Sequence, residues 1–224
     1  SYPLPEGIIY ANIDVAVTVA NELTSLHEDV TLFAPIGTKT KAKLITFDML
    51  PFTDPIITNA YPHSGSSYQY ETLMMIKALN YMEKNNFDIF QSHCRPFSVI
   101  NFASIKPDLP TVVTFHDPLS DSGYNILPLY QNFKNLHFVS LSNAQRKTGP
   151  KLTWAENVYN GVDLEAFTYH PDKGKYLFFS GRIMPEKGVD LAIEIALKTN
   201  LPLKIAGSIY PGMEPYFNEK IKPY

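Results

Sequence analysis

A segment that joins an apolar run to a predicted helix carries two cations. Segment 181–188 reads Gly-Arg-Ile-Met-Pro-Glu-Lys-Gly and follows the apolar run 176–180. Arginine can grip two phosphate oxygens with its planar fork, whereas lysine acts as a point charge. A helix N-terminus adds free N–H groups and the positive end of a dipole. Arg182 and Lys187, with Gly181 allowing close backbone approach, therefore predict a diphosphate site; the alternative is a loop with solvated cations.

A single histidine follows another apolar run. His116 comes after the run 111–115 and precedes Asp117. The carboxyl ends of parallel strands are where α/β sheets bind ligands, and an imidazole there can bind a hydroxyl or donate to developing charge. His116 is therefore a candidate catalytic residue. The alternative is a loop histidine beside a turn-forming aspartate.

Two glycines could bring backbone close to a ligand. Gly207 follows the apolar run 203–206, and Gly7 lies in a Pro-bearing segment ahead of a predicted helix. The segment around Gly7 matches neither the G-x-x-x-x-G-K-S/T loop nor the G-x-G-x-x-G loop. An ordinary turn is the alternative for Gly7.

Three further residues favour structural roles. Ser142 follows the run 137–141 without a G-x-S-x-G context, so we expect it to N-cap a helix over 143–147. His93 and Cys94 are too few to form a zinc site. Cys94 is expected to be a small buried residue, and no metal site is predicted.

The elements that must position these residues alternate along the chain. Helical periodicity covers residues 12–26, 68–84 and 187–199. Strands between helices predict an α/β fold, a Rossmann-like parallel sheet with helices on both faces. Because most runs are continuously apolar, we expect strands buried on both faces. The predicted strands are 30–34, 43–47, 87–90, 111–115, 137–141, 176–180 and 203–206.

Composition excludes several classes of protein. The chain has 224 residues, 45% of them hydrophobic and 18% charged, which is typical of a globular protein and not of a disordered one. The net charge of -3 gives no basic surplus for nucleic-acid binding. The single cysteine cannot form an internal disulfide, which favours a reducing compartment and a cytoplasmic location. The apolar runs are far shorter than the roughly 20 residues of a membrane-spanning helix.

The chain divides into two predicted domains. Segment 169–175 is polar and contains proline and glycine, as linkers do. We expect a Rossmann-like domain over residues 1–165 and the start of a second one over residues 166–224. The second predicted domain has too few strands to form a hydrophobic core of its own. In addition, residues 2–7 read as the loop after a strand, yet no strand precedes them. We therefore expect the chain to be a fragment of a longer two-domain protein.

These stretches together resemble the retaining glycosyltransferases of the GT-B fold, in the large group called family 4. The most specific signal is the pair formed by Asn160-Gly161-Val162-Asp163 and segment 181–188. Further likeness lies in residues 114–117, in residues 138–142 and in residues 202–207. The resemblance covers most of the chain and is strongest from about residue 111 to residue 207.

The resemblance implies a nucleotide-sugar donor of the UDP or GDP type, bound between two Rossmann-like domains. Arg182 and Lys187 would neutralise the donor diphosphate as it leaves, helped by backbone at Gly181 and Gly207. His116 would lie near the transferred sugar, and Gly7 would approach the phosphate or the acceptor. No metal or other cofactor would be needed, since two cations and a helix N-terminus replace the metal.

The reaction implied is transfer of the sugar to an acceptor hydroxyl with retention of anomeric configuration. It would pass through an oxocarbenium-like centre, with the leaving phosphate helping to deprotonate the acceptor. No residue stands out as an enzymic nucleophile, so a covalent intermediate is not assigned. The acceptor would be a carbohydrate or a lipid-linked hydroxyl, with peripheral membrane contact left open.

The chain departs from the family pattern in two places. Its first loop has one glycine, Gly7, where the family has two, and the family's E-x7-E element would fall after Tyr224. We therefore expect no transferase activity from this chain alone. Alternatives are a sugar phosphorylase or nucleotide-sugar epimerase of the same fold, and a non-catalytic nucleotide-sugar-binding or scaffold module.

Overall fold

The computed structural model describes residues 11–52, 54–60, 66–93, 96–120, 122–162, 164, 168–210 and 212–224. The chain divides into two compact units, Ser1–Val162 and Asp163–Tyr224. Parallel strands and helices occur in both units, so the fold class is α/β, as predicted. Among the described residues, no helix is both long enough and apolar enough to cross a membrane.

The first unit contains parallel strands with helices between them. Its described strands are β1 (Thr31–Phe33), β2 (Lys43–Ile45), β3 (Phe90–Ser92), β4 (Thr111–Thr114), β5 (Leu136–Ser140) and β6 (Trp154–Asn157). Its described α-helices are α1 (Ala11–Ser25), α2 (Pro55–Ala60), α3 (Ser66–Met82), α4 (Pro96–Ile105) and α5 (Asn143–Thr148). A 3-10 helix, Ser122–Asn132, lies between β4 and β5.

Strands β3 to β6 form a four-stranded parallel sheet in which each strand pairs with the next one in the chain. The register places Ser92 opposite Val113 and Thr114 opposite Val139. Strands β1 and β2 form a separate parallel pair. Because parallel strands end at one edge of a sheet, the residues that follow β3, β4 and β5 are neighbours.

The core of the first unit joins α3 and α4 to the four-stranded sheet. Val99 and Ile100 of α4 and Val113 of β4 have no exposed surface, and Phe138 of β5 has almost none. The other buried members of this cluster are Met75, Ala78, Met82, Phe90, Phe115, Leu119 and Leu127. Removing so much apolar surface from water holds the sheet edge in a fixed geometry.

One strand of the sheet was not predicted. Strand β6 is Trp154-Ala155-Glu156-Asn157, and the middle two side chains are exposed. It is an edge strand, hydrogen-bonded to β5 alone within this sheet. An edge position removes the need for a continuous apolar run, and so the hydrophobic pattern does not mark it.

The second unit contains a two-stranded parallel sheet, β7 (Leu177–Ser180) paired with β8 (Leu203–Ala206). Helix α6 (Val189–Thr199) packs on both strands through Val189, Ile193 and Ala196. It ends at Asn200, whose φ of 54° is the left-handed conformation that often stops a helix. Helix α7 (Glu214–Tyr216) continues into a π-helical turn, Phe217–Ile221.

The expectation that strands are buried on both faces is wrong for this unit. Phe178 of β7 is 63% exposed, whereas Leu177 and Phe179 on either side of it are partly buried. The described residues of the unit cover one face of the two-stranded sheet, through α6. Continuous hydrophobicity along a strand therefore predicted its existence but not its burial.

Candidate functional site

His116 lies just beyond β4, at the edge of the sheet where the strands end. The N–H of Phe115 donates to the carbonyl of Val139 at 3.1 Å, so pairing with β5 continues up to the residue before the histidine. The Phe115 ring is 2% exposed and packs against Phe138 and Trp154. A buried aromatic ring therefore anchors the backbone that carries His116.

Gln145 of α5 holds the loop on both sides of His116. Its side-chain Nε2 donates to the carbonyl of Phe115 at 3.1 Å and to the carbonyl of Asp117 at 2.9 Å. Its Oε1 accepts from the N–H of Leu141 at 2.8 Å. One amide side chain thus ties the His116 loop to the loop that follows β5.

Ser142 is the N-cap of α5, as predicted. Its Oγ accepts from the N–H of Gln145 at 3.0 Å, and its backbone is extended. Satisfying an otherwise unpaired N–H at a helix start stabilises the helix by about 1 kcal/mol. The cap also fixes the backbone of Gln145, the residue that holds the histidine loop.

A second histidine, His93, lies against the first. It follows β3, and its Nδ1 is 3.0 Å from Nε2 of His116, with ring centroids 5.2 Å apart. On its other side, Nε2 of His93 is 3.2 Å from the amide nitrogen of Gln91. Sequence reasoning weighed His93 only as a zinc ligand and missed this pairing. The available signal was that both histidines come after predicted strands, His116 directly and His93 three residues later.

Burial keeps the two imidazoles neutral at pH 7. Burial and, to a smaller extent, the neighbouring His116 together lower the pKa of His93 from 6.5 to about 4. Burial also lowers the pKa of His116, opposed by the negative charge of Asp117. Two neutral rings can share an N–H···N hydrogen bond, whereas two imidazolium ions would repel each other.

A polar cluster at the ends of β5 and β6 was also missed by sequence reasoning. Nε of Arg146 donates to Oγ of Ser140 at 2.6 Å, and that hydroxyl donates to Oδ1 of Asn157 at 2.9 Å. The guanidinium lies over the Trp154 ring, 5.3 Å from its centroid. Its Nη2 is buried without a hydrogen-bond partner among the described residues. The cluster joins α5 to the ends of β5 and β6.

In the second unit, the predicted diphosphate segment connects β7 to α6. The N–H of Gly181 donates to the carbonyl of Ala206 at 3.0 Å, which extends the strand pairing beyond Ser180. A 3-10 turn, Pro185–Lys187, follows, and Gly188 then takes a φ of 72° before α6 begins. As at any helix N-terminus, the first N–H groups of α6 have no partner within the helix.

The two cations of this segment are both exposed. The guanidinium of Arg182 lies over the ring of Tyr210, 4.9 Å from its centroid. Within the ranges that the structure describes, neither Arg182 nor Lys187 belongs to a salt bridge. Glu186 and Asp190 balance their charges, so segment 181–190 has no net formal charge. Any attraction for an anion therefore depends on which groups point at it and not on net charge.

Gly207 has a packing reason to be glycine. A Cβ on this residue would overlap the carbonyl oxygen of Gly181. The backbones of the two glycines run side by side, with the N–H of Ile183 donating to the carbonyl of Ser208 at 2.8 Å. Close approach of two backbone segments is one of the uses of glycine, and it accounts for Gly207 without a ligand.

Some predicted residues cannot be placed. Gly7 and Cys94 lie outside the described residues. Among the residues that are described, no group of three or more histidine, cysteine, aspartate or glutamate side chains is arranged to hold a metal ion. The prediction of a metal-independent site stays a prediction.

The chain was also compared with known proteins. No model of a known protein family matches it, and no curated protein matches it. The function proposed below therefore rests on the residues and on their contacts within each unit.

Proposed function

We propose that the segment between β7 and α6 binds the diphosphate of a nucleotide sugar, and that the protein is a retaining glycosyltransferase of the GT-B type. The observation that carries this proposal is the order of parts from Gly181 to α6. A parallel strand ends at Gly181, and two cations follow that form no salt bridge with any described residue. Gly188, with a positive φ, then leads into α6.

The parts of this segment suit a diphosphate. Arg182 can donate two parallel hydrogen bonds to phosphate oxygens, and Tyr210 supports its guanidinium from one face. Lys187 adds a second positive charge close to the start of α6. The N–H groups of the first turn of α6 and the helix dipole add to the attraction for negative charge. A leaving diphosphate gains charge as its bond to the sugar breaks, so these groups would favour departure.

The proposed reaction moves the sugar from diphosphate to an acceptor hydroxyl. The bond between the anomeric carbon and the diphosphate oxygen breaks, and the bond from that carbon to the acceptor oxygen forms on the same face. The acceptor proton passes to the leaving phosphate, so no enzymic base is required. His116 is the candidate residue of the first unit for a hydrogen bond to a sugar hydroxyl.

Direct binding tests the proposal. Isothermal calorimetry on the 224-residue chain would use UDP, GDP, UDP-glucose and GDP-mannose as probes. We expect at least one of them to bind, and Arg182→Ala and Lys187→Ala each to weaken that binding by on the order of 1.5–3 kcal/mol, as for hydrogen bonds to charged groups. Lys173→Ala removes a positive charge from an exposed residue elsewhere in the same unit and is the matched control.

The outcomes separate the alternatives. Equal affinities in the two loop variants and in the control would remove the diphosphate assignment. Binding that depends on both cations, combined with turnover of inorganic phosphate or epimerisation without an acceptor, would replace transfer by phosphorolysis or epimerisation. Binding without any turnover, both in this chain and in any longer protein that contains it, would favour a binding module.

A further inference from the structure

The histidine pair is linked to a third side chain, the amide of Gln91, whose nitrogen faces His93. The Gln91 Nε2 atom, 3.2 Å from Nε2 of His93, carries two hydrogens and has no lone pair to accept with. The His93 Nε2 atom must therefore be the acceptor. A neutral imidazole has one N–H and one acceptor nitrogen, so the proton of His93 is on Nδ1.

The same argument applies to the hydrogen bond between His93 and His116. The protonated Nδ1 of His93 is 3.0 Å from Nε2 of His116, which must then accept. His116 in turn carries its own proton on Nδ1. No described residue accepts a hydrogen bond from this Nδ1, and the ring is only partly buried.

We infer that Gln91 and His93 are positioning residues that fix His116 as the Nδ1–H tautomer, so that His116 offers a ligand a hydrogen-bond donor and not a base. Gln145 and Ser142 hold the His116 backbone, while His93 holds its ring. That the Nδ1–H of His116 donates to a sugar hydroxyl rests on the proposed function. The tautomer itself does not depend on that function.

The charged and titratable neighbours agree with a neutral ring. Asp117 lies next to His116 in the chain, with its side chain exposed, and His93 faces the ring from β3. Burial outweighs the effect of Asp117 and lowers the pKa of His116. A neutral imidazole that donates through a fixed N–H can stabilise a developing negative charge without transferring its proton first.

Nuclear magnetic resonance of the ligand-free chain reads the tautomers directly. Two-bond correlations between ring nitrogens and carbon-bound ring protons, recorded at pH 8, show which nitrogen of each histidine is protonated. The chain has 6 histidines, and single substitutions assign them. We expect His93 and His116 both to be protonated on Nδ1. A proton on Nε2 of His116 in the wild-type chain would overturn the inference.

Gln91→Glu is the decisive variant. At pH 8 a carboxylate only accepts, so His93 would move its proton to Nε2 and would then accept from His116. The tautomer of His116 should reverse to Nε2–H. Gln69→Glu makes the same chemical change at an exposed residue of α3 and should leave both rings unchanged. If His116 kept its proton on Nδ1 in Gln91→Glu, the hydrogen bonds from Gln91 through His93 would not set the tautomer of His116.

A second variant serves if Gln91→Glu fails to fold. His93→Leu removes the donor to Nε2 of His116, which should then show the mixture of tautomers of a solvated histidine. If His116 kept a pure Nδ1–H form in this variant, His93 would not be its positioning residue.

The functional consequence is measured separately. If the Nδ1–H of His116 donates to the sugar, Gln91→Glu and His93→Leu should each weaken the binding of UDP-glucose or GDP-mannose by about three- to tenfold. The same variants should leave affinity for UDP or GDP alone unchanged. No nucleotide binding in the wild-type chain would count against the proposed function while leaving the tautomer result standing. Equal loss for nucleotides with and without sugar would overturn the sugar contact.

Discussion

The amide nitrogen of Gln145 donates to the backbone carbonyl of Asp117 at 2.9 Å, across 28 residues of chain. The same nitrogen donates to the carbonyl of Phe115, so its two hydrogens hold the peptide groups on both sides of His116. This relationship links the end of β4 to α5. It gives the candidate catalytic histidine a fixed backbone although it lies in a loop.

Replacing Gln145 should destabilise the first unit. Gln145→Leu removes three hydrogen bonds at about 0.5–1.5 kcal/mol each, for a total of about 1.5–4.5 kcal/mol. Urea unfolding followed by the fluorescence of Trp154, the single tryptophan, would measure the loss. Lys147→Ala changes an exposed residue of the same helix and should cost little. Equal stabilities of the two variants would contradict the role given to Gln145.

The histidine pair should make stability depend on pH. The pKa of His93 falls from 6.5 to about 4 on folding, so the folded state favours the neutral ring. The resulting stabilisation is complete above pH 6.5 and is lost as the pH falls from about 6.5 towards 4, by on the order of 3 kcal/mol.

The measurement compares the wild-type chain with His93→Gln. Urea unfolding at pH 7.5 and at pH 5 gives the loss in free energy of unfolding for each of the two proteins. The contributions of carboxylates that titrate in both proteins cancel when the two losses are compared. We expect the wild-type chain to lose more stability than the variant over this interval. Parallel pH profiles would show that His93 is not held neutral by the fold.

Gly207 should tolerate no side chain. In Gly207→Ala the new methyl group would overlap the carbonyl oxygen of Gly181, and backbone atoms cannot move aside as a side chain can. The expected cost is about 1–3 kcal/mol, as for overpacking in a core. Hydrogen exchange of the β7 and β8 amides without nucleotide would report it.

Gly161→Ala is the matched control for this variant. A Cβ on Gly161 would have no heavy atom within 4 Å, and its φ is outside the left-handed range. It should change stability by less than about 0.5 kcal/mol, or stabilise slightly by restricting the unfolded chain. If Gly207→Ala left exchange unchanged and weakened nucleotide binding instead, Gly207 would be a ligand contact, as the family resemblance implies.

Tyr210 should support the diphosphate site without carrying charge. Its ring lies under the Arg182 guanidinium at 4.9 Å, and a cation–π contact at an exposed site contributes about 0.5–1 kcal/mol. Tyr210→Leu should therefore weaken UDP or GDP binding by about two- to fivefold in calorimetry. Tyr169→Leu, at a residue that is 86% exposed, is the control. An equal effect of both changes would speak against a prepositioned Arg182.

The hydrophobic pattern was sufficient for most of the fold. Each of the seven predicted apolar runs overlaps a strand, and the three helical patterns correspond to α1, α3 and α6. The pattern missed β6 because an edge strand with exposed Ala155 and Glu156 does not need an apolar run. It also overstated the burial of β7, since side-chain burial depends on what packs against a strand.

The candidate site was less predictable than the fold. His116 and Arg182 were found because each closely follows a predicted strand, and Lys187 because it lies at the start of a predicted helix. His93 and Gln145 were not, because their roles depend on the order of strands in the sheet and on contacts between distant segments. That β3 is the neighbour of β4 brings two histidines together across 23 residues of chain, and no local pattern encodes it.

The sheet of the first unit has a simple consequence for how the protein is made. Because β4, β5 and β6 each pair with the strand synthesised just before them, every new strand meets an edge that already exists. Each step closes only a short loop, so the sheet can grow in step with translation and need not wait for a distant partner. Both histidines leave the ribosome before the helix that carries Gln145, so the hydrogen bonds that hold the His116 loop can form only after both rings are present.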